Sequence, residues 1–295
     1  MAAFTLAHLS DPHLPPLPAP DLRELVGKRA LGYLNWTRNR RHIHRRDVLD
    51  HLVSDLKSQA PDHIAITGDI VNLALAAEFA PARAWLESVG PPEFVTVVPG
   101  NHDAYARATR NRFAQVLGTY TGGDDVAGGV LFPFVRRRGP LVLIGLSSAV
   151  PTPPLMATGW LGRQQLQALE RILVGLAAER VFRVLLIHHP LRSHSRFKRL
   201  TDALELVALL GELGVELILH GHDHVHSTLW IQGPNGSIPV VGVPSASALA
   251  DGRHPAAAYN LFSIEAEGSA WRCTQSVRGL GDAASMQLLR RARLF

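Results

Sequence analysis

The stretch Phe94-Val95-Thr96-Val97-Val98-Pro99-Gly100-Asn101-His102-Asp103 decides how the chain is read. Residues 94–98 are apolar or β-branched throughout, as suits a short strand buried on both faces. The run stops at Pro-Gly and is followed at once by an amide, an imidazole and a carboxylate. Gly-Asp after a strand is usually a turn signal. Three functional groups packed together behind a buried strand ask for more than a turn.

The same design recurs along the chain. The strand at 4–9 runs into Ser10-Asp11-Pro12-His13, and the strand at 63–67 into Gly68-Asp69-Ile70-Val71-Asn72. The strand at 183–188 closes on His188-His189-Pro190, and that at 216–219 leads into His220-Gly221-His222-Asp223-His224. Open α/β sheets gather their ligand sites at the C-terminal ends of strands, so these loops are expected to converge. Glycines beside them let the backbone turn sharply toward one centre. Further strands are expected at 141–147, 227–232, 238–243, 260–265 and 271–277.

Helical spacing is clearest over 45–59, where Val48, Leu49, Leu52, Val53 and Leu56 share one side. Residues 163–177 and 202–213 follow the same pattern. Residues 74–89 read as helical at both ends, with Pro81 either interrupting the helix or opening its second part. Strands and helices alternate early in the chain, which predicts βαβ units. The late strands follow one another directly, which predicts antiparallel hairpins. The class is therefore α/β, with mixed sheets and helices outside. No linker divides the 295 residues, so a single domain over 1–295 is expected.

Two segments break the alternation. Residues 14–46 open with four prolines and continue as a basic, helical-looking insertion carrying Tyr33 and Trp36. It leaves directly from the Asp11 loop, so it reads as a lid, a membrane contact or a cover for a sheet edge. The last stretch, 281–295, reads as a basic amphipathic helix.

Composition bounds the rest. Net charge is +5, with arginine runs at 38–46, 136–138 and 290–293. The last two runs read as solvated faces. The first suits an anionic partner: a substrate phosphate, a lipid surface or, less well, nucleic acid. The single cysteine, Cys273, rules out an internal disulfide and points to a reducing compartment. No apolar run reaches the ~20 residues of a membrane helix. The N-terminus reads as a strand rather than a signal peptide. A cytoplasmic protein, peripheral to a membrane at most, is the expectation.

Oxygen and imidazole ligands with no thiolate suit Mn, Fe or Zn. Four to five protein ligands per ion, with one carboxylate shared, would hold two ions ~3.5–4 Å apart around a nucleophilic hydroxide. His102 follows a candidate ligand, Asn101, and is placed to bind a phosphate oxygen or protonate a leaving alkoxide. Asp103 is expected to orient His102 and raise its pKa. His8, His51, His63, His194, His220, His226 and His254 have no partner that sequence alone can name.

Together, Asp11-x-His13, Gly68-Asp69, Gly100-Asn101-His102-Asp103, His188-x-Pro190 and Gly221-His222-x-His224 resemble the motif set of the calcineurin-like metallophosphoesterases. The resemblance implies a four-layer α/β/β/α sandwich of two mixed sheets. It implies one metal on Asp11, His13, Asp69 and His224, and a second on Asp69, Asn101, His188 and His222. Asp69 would bridge, and His188 rather than His189 would be the ligand. The wording Leu9-Ser10-Asp11-Pro12-His13-Leu14, with Gly242-Val243-Pro244-Ser245, is most similar to the bacterial cyclic nucleotide phosphodiesterase and glycerophosphodiesterase branch. That similarity implies a small phosphodiester substrate, cyclic nucleotide first. UDP-2,3-diacylglucosamine hydrolases, which act on a lipid-linked pyrophosphate, resemble the chain less, because their third motif typically lacks the histidine found here as His102. Nuclease and scaffold relatives are further alternatives.

Overall fold

A computed structural model describes residues 3–105, 110–124, 132–193, 195–252, 254–281 and 285–295. Its first six strands are β1 (Phe4–Leu9), β2 (His63–Ile66), β3 (Val95–Val97), β4 (Phe134–Arg138), β5 (Leu141–Gly145) and β6 (Phe182–Leu186). They are followed by β7 (Leu217–His220), β8 (Ser227–Gly233), β9 (Gly236–Gly242), β10 (Ala258–Glu267), β11 (Ala270–Leu280) and β12 (Met286–Arg293). One six-stranded sheet has the order β12-β11-β10-β1-β2-β3, and the other β4-β5-β6-β7-β9-β8. In the first, β1, β2 and β3 pair in parallel while β10, β11 and β12 run antiparallel. In the second, β5, β6, β7 and β9 are parallel and the edge strands β4 and β8 antiparallel. The early alternation and the late hairpins both appear as the sequence predicts.

Helices α1 (Lys28–Asn35) and α2 (Arg41–Ile43) belong to the insertion; α3 (Arg46–Ser58) follows it. Further on come α4 (Phe79–Val89), α5 (Arg110–Leu117), α6 (Arg163–Leu176) and α7 (Ala203–Leu213). The apolar stripe of α3 (Val48, Leu49, Leu52, Val53, Leu56) and that of α4 (Phe79, Ala82, Trp85, Leu86) bury against the first sheet. Leu169, Leu173 and Leu176 of α6 and Leu206 and Leu210 of α7 cover the second. Between the sheets, Leu6, Ala65, Phe182, Leu219, Val241 and Phe262 form a separate core. The result is helices, sheet, sheet, helices. Pro81 lies in the first turn of α4, where its missing N–H costs nothing, so it opens the helix.

Three readings need correction. The described residues of 281–295 do not make a helix. Among the described residues there, Met286–Arg293 is the edge strand β12, paired along β11. Leu294 and Phe295 then turn into the core between the sheets, Phe295 stacked on Phe182 at 6.1 Å. The run 136–138 is not simply a solvated face either. It belongs to β4, which alternates its side chains, so Arg136 points inward and is 4% exposed. Its guanidinium donates to the carbonyls of Gly122 (2.6 Å), Pro92 (2.7 Å), Val95 (2.9 Å) and Thr119 (2.6 Å). Finally, the insertion is not one helix. A short turn at Leu22–Glu24 leads to α1, which runs into a π-helical turn at Trp36–Arg40 and then α2. That turn is seen directly in the Arg41 N–H donating to the Trp36 carbonyl, five residues back.

The insertion is tied to the domain at both ends. Arg29 donates to the carbonyls of Leu73 (3.0 Å) and Ala74 (2.6 Å), and Lys28 to the Met156 carbonyl (2.8 Å). Gly32 seats α1 directly on Tyr105 and Leu73, where a Cβ would collide. At the far end, the Arg45 N–H donates to Ser247 (2.8 Å) and the Leu249 N–H to Ile43 (2.9 Å).

Candidate metal centre

All seven side chains that the motifs single out meet at the C-terminal ends of β1, β2, β3, β6 and β7. Their donor atoms lie close enough to share ions. The Oδ2 of Asp69 is 3.4 Å from His188 Nε2 and 3.7 Å from His13 Nε2. The Oδ1 of Asp11 is 3.1 Å from His224 Nε2 and 3.8 Å from His13 Nε2. His13 and His224 face each other through Nε2 at 3.3 Å. His188 Nε2 stands 3.2 Å from Asn101 Oδ1 and 3.3 Å from His222 Nδ1. Ligands ~2.0–2.2 Å from an ion and at right angles around it are spaced by about 3 Å. The observed spacings match, and Asp69 Oδ2 lies between the two groups as a bridging oxygen must.

The backbone is bent to make this possible. Asp11 (φ 53°), His13 (38°), Asp69 (55°), His222 (73°) and His224 (54°) all adopt the left-handed conformation. Such residues cost on the order of 1–3 kcal/mol each and persist where the surroundings hold them. Here the surroundings are neighbouring loops. Asp11 N–H donates to the Gly68 carbonyl and His13 N–H to that of Asp69, each at 3.0 Å. The Asp11 Oδ2 accepts the His222 N–H (3.0 Å), and Asp69 Oδ1 accepts the His102 N–H (2.7 Å). At Gly68 and Gly221 there is no room for a Cβ, because Gly100 backbone and the Ser10–Asp11 side chains fill the space.

The electrostatics ask for cations at this point. His188 donates through Nδ1 to the Thr67 carbonyl (2.6 Å), which leaves Nε2 aimed at the cluster. Burial opposes charge on that ring, yet Asp69 and Asp11 raise its pKa to about 10. Burial likewise opposes ionisation of Asp69, but His188 and His102 hold its carboxyl well below the usual range. His13 Nδ1 and His222 Nε2 are buried and have no hydrogen-bond partner. A set of carboxylate oxygens and imidazole nitrogens converging with little hydrogen between them fits a pair of divalent or trivalent ions.

His189 is excluded as a ligand: Ser148 Oγ engages its Nδ1 (2.7 Å), and its Nε2 donates to the Ala157 carbonyl (3.1 Å). His8, His63 and His220 are buried with hydroxyl or carbonyl partners of their own. His51 and His226 are exposed; His194 lies outside the described residues. His254 lines the cavity, 6.0 Å from the His224 ring, and pairs with Asp251 at 3.1 Å.

Asp103 does something other than orient His102. Its carboxylate accepts four backbone N–H groups: Asp69 (2.8 Å), Ile70 (2.9 Å), Val71 (3.1 Å) and Gly100 (2.8 Å). It therefore clamps two ligand loops together. Burial, with Asp69 nearby, pushes its pKa up to about 7. The His102 ring instead hydrogen-bonds the Asn72 carbonyl through Nδ1, and Arg40 Nη1 lies 3.2 Å from its Nε2. Burial, aided by Arg40 and opposed by Asp69, lowers the pKa of His102 to about 4. The ring is neutral near pH 7.

Arg40 and His44 are the residues that sequence reading missed. Both come from the insertion, and both line a cavity of about 280 Å³ over the metal ligands. His44 brings a nitrogen within 4.8 Å of those of His13 and His224. The signal was present as Arg40-Arg41-His42-Ile43-His44, but a basic run ahead of a helix does not show which side chain turns inward.

Fold and site together define a phosphoester hydrolase architecture built around paired metal ligands, and the comparisons with known proteins narrow it. Residues 4–226 match the family model described as calcineurin-like phosphoesterase. The chain belongs to that family. No curated protein matches it in sequence. Among solved structures it is similar to a dimetal phosphatase from Danio rerio, at 13% identity and a TM-score of 0.60, covering 99% of this chain and all of that one. It is also similar to the purple acid phosphatase PPD1 from yellow lupin (Lupinus luteus) seeds, at 13% identity and 0.63, covering 99% of this chain and 53% of that one. A third likeness, at 13% identity and 0.56, is to GAP50, the anchor in the inner membrane complex of Plasmodium, covering 100% and 89%. At such identities these likenesses establish the fold.

Proposed function

We propose that this protein hydrolyses phosphodiesters with two metal ions, Mn, Fe or Zn, held by Asp11, His13, Asp69, Asn101, His188, His222 and His224. A cyclic nucleotide is the leading substrate. The observation that carries the reading is the convergence of two buried carboxylates and four imidazole nitrogens at 3.1–3.8 Å beneath an open cavity. When bound, such ions supply Lewis-acid charge for the phosphoryl oxygens and bring the pKa of water to ≈7.

The chain's own residues do the rest. Asp11 would serve the side of the centre that carries His13 and His224, Asp69 would be shared between both sides, and Asp103 fixes the spacing of the loops that carry Asp69 and Asn101. His102 presents a neutral Nε2 to the cavity. A proton taken there from the attacking water would pass to the leaving oxygen, so that none is gained or lost overall. Side chains of the insertion, Arg40 and His44 among them, line one wall of the cavity.

A second reading has its own support. A groove of about 470 Å³ adjoins the cavity and shares Arg40 and His102 with it. Leu31, Leu155, Met156 and Phe197 line it, with Leu155 89% exposed. Such walls suit the apolar part of a lipid-linked phosphate or pyrophosphate, with the basic insertion facing a lipid surface.

The test is a substrate panel with added Mn, Zn or Fe: 3′,5′-cyclic nucleotides, glycerophosphodiesters, bis-p-nitrophenyl phosphate, UDP-diacylglucosamine and single-stranded DNA. Metal-dependent turnover of a small diester is the expected result. Preference for the diacylated substrate would replace the first reading with the second. Absence of metal and of all turnover would leave a scaffold.

A further inference from the structure

Four buried or half-buried arginines outside the cavity carry their own acceptors. Arg136 has four carbonyls, Arg29 two, Arg183 the Glu216 carboxylate at 2.8 Å and Arg278 the Asp55 carboxylate at 2.7 Å. Arg40 has none of these. Among the described residues its guanidinium meets no carboxylate within ion-pair range. Its only hydrogen-bonding neighbours are imidazole nitrogens: His102 at 3.2 and 3.4 Å and His44 at 3.5 Å. The Nδ1 of His102 is already committed to the Asn72 carbonyl, and that of His44 to Ser247 Oγ at 2.9 Å. A guanidinium has five N–H donors in a rigid fork, so most of Arg40's are unused. Its half-buried side chain lines the same cavity as Asp69, Asn101 and His102.

The turn that carries Arg40 is built to aim it. Trp36, 6% exposed, anchors the π-helical turn and lies parallel to the His44 ring at 6.2 Å. The widened turn ends on Arg40, and the Arg40 carbonyl accepts the His44 N–H (2.9 Å). Downstream, His44 bridges to Ala248, within the loop whose Ser245 donates to the Asp11 carbonyl (2.6 Å). The insertion is thus connected by a short chain of bonds to the first ligand loop. A cation held there with no carboxylate in contact, its burial offset in part by the fields of Asp69 and Asp11 from farther off, is better satisfied once an anion arrives to meet it.

We propose that Arg40 is a substrate-binding residue, delivered by the insertion, that grips non-bridging phosphoryl oxygens of the diester substrate and of the phosphomonoester product. The inference rests on the phosphoester reading above. Its chemistry is that of a forked, charge-assisted contact to a tetrahedral oxyanion, for which arginine is suited and lysine is a poor replacement. The 14–46 segment is then a wall of the active site whatever its outer surface meets.

The experiment uses the full chain loaded with Mn²⁺, with inorganic phosphate as the binding probe and a diester as the kinetic one. Arg40→Ala and Arg40→Gln are each expected to weaken phosphate binding by roughly 10- to 100-fold in calorimetry. They should lower kcat/KM by a similar factor while leaving metal content unchanged. Arg40→Lys should fall between them and wild type, and added guanidinium ion should restore part of the Arg40→Ala loss. Arg38→Ala, on the exposed side of the same turn, serves as the control. If both Arg40 variants bind phosphate and turn over diester as wild type does, the inference is overturned while the phosphoesterase reading stands. If wild type hydrolyses no phosphoester, the phosphoesterase reading falls and takes the inference with it.

Discussion

The outer face of the first sheet and the floor of the cavity handle charge in opposite ways. On the outer face, Asp55 of α3 accepts from Arg278 (2.7 and 2.8 Å) and from the Tyr259 hydroxyl (2.5 Å), so each charge has its answer within the fold. On the cavity floor, carboxylate oxygens and imidazole nitrogens are crowded together at 3.1–3.8 Å, and Arg40 touches imidazoles rather than an acid. The first arrangement completes itself on folding. The second is completed only by what binds, and its strained backbone is the cost of being ready. Charge that stabilises and charge that works are thereby separated in space.

Three measurements can break or sharpen that contrast. The largest effect is expected for Asp69→Asn, which keeps shape but removes the shared charge. Turnover should fall by at least ~10⁴-fold and metal content per chain should drop in elemental analysis, since the charge that holds both ions is gone. The melting temperature of the metal-free protein should fall, because the Asp69 carboxylate, held ionised against burial by His188, is the counter-charge of that buried ring. An unchanged metal-free melting temperature would show that Asp69 meets no charged imidazole there. Next is His102→Ala. It should keep both ions and lose ~10²–10⁴ in turnover, most for poor leaving groups. Equal activity would remove His102 from the chemistry.

The smallest effect lies on the outer face. The Arg278 guanidinium holds the Asp55 carboxyl below its ordinary value, against burial and with help from Tyr259. A carboxylate whose pKa is depressed by folding stabilises above its unfolded value and loses that contribution as pH falls through the folded one. Asp55→Asn should therefore cost about 1–3 kcal/mol at neutral pH in denaturant titration, with kcat unaffected. The gap to wild type should close as pH drops below 3.8. A pH-independent gap would mean that the lost hydrogen bonds, rather than the charge, set the difference.

Much of the site was legible because each ligand loop announces itself twice, once as a buried strand and once as an abrupt polar stop. Phe94 through Asp103 shows this, and the structure gathers its Asn101 with Asp11, Asp69 and His188. The illegible parts have physical reasons. β4 was hidden because Arg136 buys its burial with carbonyls from segments far along the chain, which no local pattern reveals. β12 was taken for a helix because an edge strand exposed over most of its length has no apolar alternation to read; its order comes from the backbone ladder to β11. Asp103 was given to His102 because the two are adjacent. In the folded chain the carboxylate turns to the N–H groups of the 69–71 loop, which proximity in sequence cannot show. Arg40 and His44 were read only as members of a charge run, since their direction is set by one widened helical turn.

That widened turn also constrains the segment's length. Each residue of an α-helix advances the chain by about 100° around its axis. A π turn holds one residue more than an α turn, so removing one between Trp36 and Arg40 changes the angle at which those two side chains leave the helix. Trp36 would leave its seat on His44, or Arg40 would rotate out toward water. The segment behaves like a key cut to a single depth: its outer residues can vary in kind, but not in number.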